Sequence, residues 1–409
     1  MRVISDSMLA AVLGRLEGEP RVVMSGNFGT PWQAVKVLDA SVPRYRLFAL
    51  NAQVGTPDRD GVTLESPFVG PGMRHSERLR YLPCRLSLVP HMLASTVPPD
   101  VVMVHTSSPV RGTVSLGTEV NILPAAIEAV RARGGLVVAQ LNRHMPYSYG
   151  DAVLSQDDID LAIEADTLLP NPLPRVPGEM FESIGERVAQ LVPEAATLQL
   201  GIGAVPDAVL SALRGRRGLT VWSEMFSDGV LELERSGALD PATPVTASFA
   251  FGSGELYAWL DQSSRVLMLR TEKTNDPALI ARQHAMTSVN GALQVDLFAQ
   301  ANAARVKGAI YSGFGGQTDF VVGALHSHDG RAIIALPSWH PKADVSTVVP
   351  RLSGPVTSFQ HSYFVSEQGT ATIWGNDASE QAAEIITGVA HPDARDELTQ
   401  AARELGFRV

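Results

Sequence analysis

The stretch TLQLGIGAVPDAVLSALRGR, residues 197–216, contains the pattern that decides the fold. It begins with a short apolar run typical of a buried strand, passes through a glycine loop and a proline, and ends in a helical pattern. The stretch RVVMSGNFGTPWQAVKVL, residues 21–38, follows the same plan. Each predicts a βα unit of a parallel sheet. The repeat indicates an ancient duplication, and two independent βα turns with similar turn chemistry are the alternative.

Further apolar runs extend this pattern along the chain. They alternate with helical patterns such as NILPAAIEAVRARGG, which Gly134 and Gly135 close. Strands alternating with helices are typical of a parallel α/β sheet, so we predict an α/β fold in both halves of the chain. The predicted strands are RVVMSG, DVVMVHT and LVVAQLN in the first half, and TLQL, LTVWSE, SRVLML, KGAIYSG and RAIIALP in the second.

A proline-rich segment, LLPNPLPRVPGEMF, separates the two halves. Prolines this close together exclude a regular helix or a central strand, so the segment is predicted to be a linker. A chain of 409 residues also exceeds what one hydrophobic core usually supports. We therefore predict an N-terminal domain over residues 1–178 and a C-terminal domain over residues 179–409. The prolines of the linker are Pro170, Pro172, Pro174 and Pro177.

Composition narrows the classes of function. The formal net charge is −10, from 33 Lys and Arg against 43 Asp and Glu, which argues against binding to nucleic acid or to an anionic membrane. The single cysteine, Cys84, excludes an internal disulfide, and the histidines show no metal-ligand spacing. The N-terminus lacks the pattern of a secretory signal, and no apolar run is long enough to span a membrane. We expect a cytoplasmic protein with no metal site.

Two glycine clusters follow predicted strands and are candidate ligand loops. The loop of Gly201 and Gly203 can bring backbone N–H groups against an anion or a carbonyl oxygen. It lacks the third glycine of the dinucleotide-binding fingerprint, which disfavours a Rossmann dehydrogenase. The second cluster, YSGFGGQTDF, lies at a strand end, where α/β sheets bind ligands. Its alternative is a tight turn that needs positive φ.

A series of motifs, in this order and spacing, resembles the acetyl-CoA hydrolase/transferase family of class I coenzyme A transferases, which includes 4-hydroxybutyrate CoA-transferases. The resemblance implies two similar open α/β domains with the active site between them. It covers most of the chain and is most specific between residues 197 and 370. The motifs are LQLGIGAVPDAVL, SEMFSDGVLEL, FGSGELYAWLD, TNDP, VNGALQVDL, YSGFGGQTDFVVGA, AIIALPS, STVVP and VSEQG, preceded by SSPVRGTVSLGTEVNILPAAIEA.

The resemblance assigns roles to individual residues. Glu224 of SEMFSDG matches the catalytic glutamate, which would form a glutamyl-CoA thioester. Asn275 of TNDP matches an asparagine that places this glutamate, and Gly316 of GFGG matches an oxyanion-hole glycine that also contacts coenzyme A. The other positions that match coenzyme A contacts are Gly201, Ile202, Gly203, Ala204, Val205 and Ser312.

The chemistry of a glutamate nucleophile suits an exchange of CoA between two acids. A carboxylate can accept an acyl group and later leave, so ping-pong transfer conserves the energy of the thioester without ATP. With an ordinary pKa of about 4.3, Glu224 would be ionised at neutral pH and would need no general base. Coenzyme A is then a substrate, no prosthetic group is implied, and the partners are an acyl-CoA and a short acid such as 4-hydroxybutyrate, butyrate, propionate or succinate.

Two alternatives to a CoA-transferase stay open at this point. A thioester hydrolase differs only in whether water reaches the glutamyl thioester. A non-catalytic relative would bind acyl-CoA without turnover, although the presence of Glu224, Asn275 and Gly316 together disfavours it. A homodimer or homotetramer is the expected assembly for an enzyme of this size.

Overall fold

The computed structural model of this chain describes residues 1–172, 178–340, 342–354, 356 and 360–409. Pro174 and Pro177 of the predicted linker therefore lie outside the described residues. The chain divides into two compact units. The first contains Met1–Leu173, Pro244–Thr274 and Ile310–Gly315, and the second contains Pro174–Thr243, Asn275–Ala309 and Gly316–Val409.

The first unit is built on an eight-stranded sheet whose paired strands are all parallel. All six residues of its strand Val101–Thr106 are buried, as expected for a parallel sheet covered on both faces. The predicted strands of the first half are confirmed as neighbours in this sheet. In spatial order the strands are Arg2–Val3, Leu161–Ala165, Leu136–Asn142, Val101–Thr106, Arg21–Met24, Tyr45–Phe48, Val62–Ser66 and Leu79–Tyr81.

Helices and small sheets complete the first unit. The predicted helix of NILPAAIEAVRARGG is confirmed over Leu123–Arg131. Two short strands, Thr113–Ser115 and Val153–Ser155, pair antiparallel. The other helices are Asp6–Leu13, Trp32–Ser41, Val89–Ser95, Gly254–Leu260 and Thr271–Thr274, with 3₁₀ turns at Leu86–Leu88 and Gln156–Asp158.

The division into units differs from the predicted single boundary between residues 178 and 179. Residues 244–274 lie after that boundary in the sequence but pack with the first unit. The reason is strand pairing, because Val245–Ala247 pairs with Val266–Met268, which pairs in turn with Tyr149–Gly150. A composition pattern marks where a linker can lie, whereas it does not show that a later segment returns to an earlier sheet.

The second unit is built on a six-stranded sheet. Five neighbouring strands are parallel, and the edge strand Thr370–Thr372 pairs antiparallel with Tyr363–Val365. The α/β prediction is thus confirmed in this half as well. In spatial order the strands are Thr220–Val221, Thr197–Leu200, Thr287–Gly291, Arg331–Ala335, Tyr363–Val365 and Thr370–Thr372.

Helices and short strands outside this sheet complete the second unit. The helices are Glu179–Leu191, Ala204–Ala212, Asp228–Arg235, Pro277–Ile280, Gln317–His326, Ala378–Glu384 and Arg395–Glu404, with a π-helix at Ile385–Val389 and a 3₁₀ turn at Pro392–Ala394. The short strands are Met225–Phe226, Gln294–Asp296, Ala301–Asn302, Arg305–Val306, Trp339–His340, Val345–Ser346 and Val348–Val349. Phe249–Ala250 and Ala309–Ile310 are further two-residue strands of the chain.

The sheet of the second unit brings candidate residues to one edge. Strand Thr197–Leu200 lies between Thr220–Val221 and Thr287–Gly291, and all three run in the same direction. The carboxyl ends of parallel strands meet at one edge, which is where such sheets bind ligands. The loop of residues 201–203 and the segment around Glu224 both follow strands at this edge.

Within the described residues, every helix is too short or too polar to cross a bilayer.

Candidate active site

Glu224 follows the strand Thr220–Val221 and precedes the short strand Met225–Phe226. Its neighbour Ser223 is buried, and the Ser223 hydroxyl donates a hydrogen bond of 3.1 Å to the carbonyl oxygen of Leu200. This bond ties the chain at Glu224 to the end of the adjacent strand. The Glu224 side chain is itself partly buried at the carboxyl edge of the sheet.

Asn275 and Gly316 both contact Glu224. The Asn275 side chain is fully buried, and its Nδ2 donates to Glu224 Oε2 over 3.2 Å. The backbone N–H of Gly316 donates to the same carboxylate. A Cβ atom at position 316 would overlap both Glu224 Oε2 and Asn275 Nδ2, so a larger residue there would have to displace the ends of both side chains. The structure thus brings together the three residues to which the sequence assigned catalytic roles.

A helix begins directly behind this contact. Gly316 is the N-cap of the helix Gln317–His326, so its amide belongs to the positive end of the helix dipole. A negative charge near the first turn of a helix is stabilised by roughly 0.3–1 kcal/mol. The helix therefore favours the ionised form of Glu224 and would favour an oxyanion formed at the same place.

The pKa of Glu224 is nevertheless raised, to about 7. Burial of the carboxylate is the largest cause, and the nearby carboxylate of Asp319 adds to it. The hydrogen bonds from Asn275 and Gly316 act in the opposite direction but do not prevail. The expectation that Glu224 titrates like an ordinary glutamate is therefore wrong, because the fold removes water from a carboxylate that the sequence alone could not show to be buried.

The loop of residues 201–203 connects the strand Thr197–Leu200 to the helix Ala204–Ala212. Gly203 is the N-cap of that helix and has a φ of +121°, a conformation that side chains rarely adopt. Ile202 is 43% exposed. Backbone N–H groups at such a helix start can bind an anion or a carbonyl oxygen. The geometry is compatible with the predicted ligand loop, which includes the exposed Ala204 and the partly buried Gly201 and Val205.

Two carboxyl groups lie near this loop. Asp207 is in the first turn of the helix Ala204–Ala212, and burial together with the charge of Asp228 raises its pKa. In the structure Ser227 is the N-cap, and Asp228 is the first residue of the helix Asp228–Arg235.

Ser312 belongs to the first compact unit, unlike the other candidate residues. Its hydroxyl donates to the carbonyl oxygen of Gly313 over 3.1 Å, within a turn where Gly313 and Gly315 have φ values of +113° and +50°. The tight turn that was the alternative for this glycine cluster is therefore present. The contact of Ser312 with coenzyme A stays a prediction.

Sequence reasoning missed two groups at this site. Asp319 was not singled out, although it lies in the first turn after GFGG and is fully buried. The second group is a polar cluster at the strand ends, in which Gln199 Oε1 accepts from the Ser288 hydroxyl at 2.7 Å and from Asn290 Nδ2 at 3.1 Å. Polar residues inside otherwise apolar strands, such as the glutamine of TLQL, were the available signal.

Comparisons with known proteins agree with the motifs. Residues 252–402 match the model of the acetyl-CoA hydrolase/transferase C-terminal domain. The 4-hydroxybutyrate coenzyme A transferase of Clostridium kluyveri is 32% identical over 409 aligned residues, covering 94% of this chain and 94% of that protein. The chain belongs to the acetyl-CoA hydrolase/transferase family. The resemblance predicted from the sequence is confirmed.

Other proteins similar to this chain carry different names. An acetyl-CoA hydrolase of Eremothecium gossypii is 33% identical over 54% of this chain and 43% of that protein. The crystal structure of RipA from Yersinia pestis superposes with a TM-score of 0.92 at 28% identity, over 99% of this chain and 98% of the other. For 4-hydroxybutyrate CoA-transferase of Porphyromonas gingivalis the TM-score is 0.83 at 29% identity, with the same coverage. These structures support the α/β fold of the family.

Proposed function

We propose that this protein is a CoA-transferase that moves coenzyme A from an acyl-CoA, with acetyl-CoA as the first candidate, to a short carboxylic acid. The observation that carries the proposal is the convergence of Asn275 and Gly316 on the carboxylate of Glu224. A buried side-chain amide and a backbone N–H at one carboxylate form a site that can stabilise negative charge on the glutamyl oxygens during the reaction. Family membership and the 4-hydroxybutyrate coenzyme A transferase relative support the choice of reaction.

The first half-reaction transfers CoA to the enzyme. A carboxylate oxygen of Glu224 attacks the acyl carbonyl carbon, the C–S bond breaks, and CoA leaves as a thiolate from a mixed anhydride. The thiolate then attacks the glutamyl carbonyl carbon, and the anhydride C–O bond breaks. The products are the first acid, released as a carboxylate, and a glutamyl-CoA thioester at Glu224.

The second half-reaction repeats these steps in reverse with another acid. Its carboxylate attacks the glutamyl thioester and releases CoA thiolate, which then attacks the new acyl carbonyl. Glu224 leaves as a carboxylate, and the new acyl-CoA is released. No proton is gained or lost in the overall exchange, which is consistent with a site that contains no histidine beside Glu224 among its described contacts.

Gly316 and Asn275 have distinct roles in this scheme. Attack of the thiolate on the glutamyl carbonyl places a negative charge on a glutamyl oxygen, where the Gly316 N–H already donates a hydrogen bond. A preorganised donor of this kind contributes about 3–4 kcal/mol to the transition state. Asn275 holds Oε2 over 3.2 Å and so orients the carboxyl group between attack and release.

Hydrolysis of the acyl-CoA is the second candidate function. It is favoured by the similarity to three acetyl-CoA hydrolases, each over about half of this chain. Hydrolysis and transfer share the glutamyl-CoA thioester and differ in whether water or a carboxylate attacks it. Release of CoA from acetyl-CoA without any acceptor acid, at a rate equal to that with acid, would identify the hydrolase.

The test of the proposal uses purified protein, acetyl-CoA and a panel of acids that includes propionate, butyrate, 4-hydroxybutyrate and succinate. Mass spectrometry follows the new acyl-CoA, and intact-protein spectra follow CoA bound at Glu224. Borohydride should inactivate the enzyme only after exposure to acyl-CoA, because it reduces the thioester. Turnover without CoA on the protein would overturn the mechanism.

The assembly and location of the protein are part of the same proposal. We infer a cytoplasmic homodimer or homotetramer, and light scattering of the purified protein measures the number of subunits. Coenzyme A is the proposed substrate that the loop of residues 201–205 binds, with Ser312 as a further contact. No metal participates in the proposed chemistry, so dialysis against EDTA should leave the rate of exchange unchanged.

A further inference from the structure

The strand Thr220–Val221 leads directly to Glu224 and runs parallel to its neighbour in the six-stranded sheet. Just beyond this strand, the N–H of Trp222 donates to the carbonyl oxygen of Leu198 over 3.1 Å. In a parallel ladder the bonds are evenly spaced, and a strand donates to its neighbour through every second residue. The regular continuation would therefore join the N–H of Glu224 to the carbonyl oxygen of Leu200.

The carbonyl oxygen of Leu200 has a different donor. Across the described residues, no backbone hydrogen bond joins it to the N–H of Glu224. The hydroxyl of the buried Ser223 donates to it instead, over 3.1 Å. The side chain of Ser223 thus takes the place in the ladder that the Glu224 N–H would occupy. The chain bends at Glu224, and its backbone leaves the sheet there.

The strand that carries this acceptor is fixed on its other side by a buried polar network. Gln199, next to Leu200 in the chain, lies opposite Ser288 in the sheet. Gln199 Oε1 accepts from the Ser288 hydroxyl over 2.7 Å and from Asn290 Nδ2 over 3.1 Å, and the same Asn290 Nδ2 donates to the Ser288 hydroxyl over 2.8 Å. Gln199 and Ser288 are both buried. The Leu200 carbonyl is therefore a fixed attachment point for Ser223.

The side chain of Glu224 has its own partner within the same unit. Asn275 Nδ2 donates to Glu224 Oε2 over 3.2 Å, at the long end of the range for such a bond. A small movement of the Glu224 backbone toward the neighbouring strand would break this contact. The contacts from Leu200 to Asn275 all lie in the second compact unit.

We propose that Ser223 is a positioning residue of the CoA-transfer reaction, because its hydroxyl replaces the Glu224 N–H at the Leu200 carbonyl and so keeps the Glu224 carboxylate at Asn275. Ser223 acts in this scheme only through Glu224. The inference rests on the proposed function for its catalytic meaning, while the change in backbone hydrogen bonding is measured without substrate.

Removal of the Ser223 hydroxyl leaves the Leu200 carbonyl without its donor, and the Glu224 N–H is the next ladder group that can satisfy it. The carboxylate then withdraws from Asn275. Ser223→Ala is therefore expected to lower kcat for CoA transfer about tenfold, with KM for acyl-CoA changed less than about twofold. Ser223→Thr keeps the hydroxyl and is expected to retain kcat within about threefold. An unchanged kcat in Ser223→Ala, or equal losses in both variants, would overturn the inference.

Ser327 provides the matched control. It is also buried, and its hydroxyl also donates to a backbone carbonyl, that of Gln283, over 2.6 Å. It is the C-cap of the helix Gln317–His326 and so lies at the end opposite Gly316. Ser327→Ala is expected to lower stability and to leave kcat unchanged. A loss of kcat equal to that of Ser223→Ala would show general loosening of the unit and would reject the positioning role.

Amide hydrogen exchange gives a readout of opposite sign for positioning and for loosening. Ser223→Ala is expected to slow exchange of the Glu224 amide at least about tenfold, because this N–H enters the ladder at Leu200. A variant that merely loosens the fold would exchange faster. NMR of ¹⁵N-glutamate-labelled protein without substrate makes the measurement, and unchanged or faster exchange at Glu224 contradicts the inference.

The same measurement separates this inference from the proposed function. If the unmodified protein transfers no CoA, the proposed function fails, yet a slowed Glu224 amide in Ser223→Ala still supports the placement of Glu224 by Ser223. An unchanged Glu224 amide in a protein that does transfer CoA rejects the positioning alone.

Discussion

Two opposing requirements meet at the carboxylate of Glu224. The proposed nucleophile must be ionised, yet a well-hydrated carboxylate is a weak nucleophile because its water must first be removed. In the structure burial and Asp319 raise the pKa of Glu224 to about 7, while Asn275 and Gly316 stabilise its charge. The proposed glutamyl thioester is neutral, so burial does not disfavour it. Burial therefore raises the free energy of the free carboxylate relative to that of the proposed intermediate.

The first prediction concerns pH. Since only ionised Glu224 attacks, kcat/KM for acyl-CoA should fall about tenfold per pH unit below about 7, the pKa in the free enzyme. In Asp319→Asn the acidic limb should move to lower pH, because a charge that raises the pKa is removed. Initial rates between pH 5 and pH 9 measure both limbs. A wild-type limb near pH 4.5 would contradict the burial of the carboxylate.

The second prediction concerns Gly316. A Cβ atom there would overlap Glu224 Oε2 and Asn275 Nδ2, so Gly316→Ala must displace the nucleophile from its donors. We expect kcat to fall at least about a hundredfold, as for the loss of one oxyanion-hole donor. Gly215→Ala is the matched control, because nothing lies within 4 Å of a Cβ atom at that position. Comparable loss of activity in both variants would count against a specific role of Gly316.

At the scale of elements, the site depends on strand ends followed by helix starts. Strand Thr197–Leu200 leads through a glycine loop into the helix Ala204–Ala212, and the helix Gln317–His326 begins at Gly316. Both helices start with backbone N–H groups that favour anionic groups nearby. The glycines allow this because a side chain at Gly203 would be strained and one at Gly316 would clash.

The third prediction concerns the loop of residues 201–203, which precedes the helix Ala204–Ala212. Gly203→Ala places a side chain at a φ of +121°, so the loop must change conformation and its N–H groups must reorient. We expect KM for acyl-CoA to rise about tenfold, with a smaller effect on kcat. Gly237→Ala is the control. It also places a side chain at a positive φ, +70°, but lies just beyond the helix Asp228–Arg235 and outside the loop. If steady-state kinetics show an unchanged KM in Gly203→Ala, the loop does not bind CoA.

At the scale of the whole molecule, each compact unit is assembled from separate parts of the chain. The first unit recruits Pro244–Thr274 and Ile310–Gly315, so the chain passes repeatedly from one unit to the other. Asn275 and Gly316 are the residues that follow two of these passages. The contacts of Asn275 and Gly316 with Glu224 are therefore made where the chain enters the second unit.

The fourth prediction concerns stability. If the folded protein binds acyl-CoA and the unfolded chain does not, ligand at 100 times its Kd stabilises the fold by about 2.7 kcal/mol and raises Tm. Glu224→Ala should show a similar shift, because binding does not require the nucleophile, while its exchange activity falls by at least about a thousandfold. Differential scanning fluorimetry with and without acyl-CoA provides the comparison. Absence of a shift in both proteins would contradict the proposed substrate.

Local patterns in the sequence predicted much of the fold and of the candidate site. The βα unit of residues 197–216 follows from the apolar run, the glycines and the helical period, and the structure confirms it as Thr197–Leu200 and Ala204–Ala212. Glu224, Asn275 and Gly316 were identified from short motifs, and their contacts were then found in the structure. Such features depend on residues close together in the chain, or on motifs shared with a family, and both can be seen in one sequence.

Tertiary structure alone decided the electrostatics of the site. The raised pKa of Glu224 results from burial and from the nearby Asp319. The return of residues 244–274 to the first unit likewise depends on pairing with the distant strand Tyr149–Gly150, in a small sheet of three strands. The sequence could not determine these features, because burial and long-range hydrogen bonds depend on groups that only the folded chain brings together.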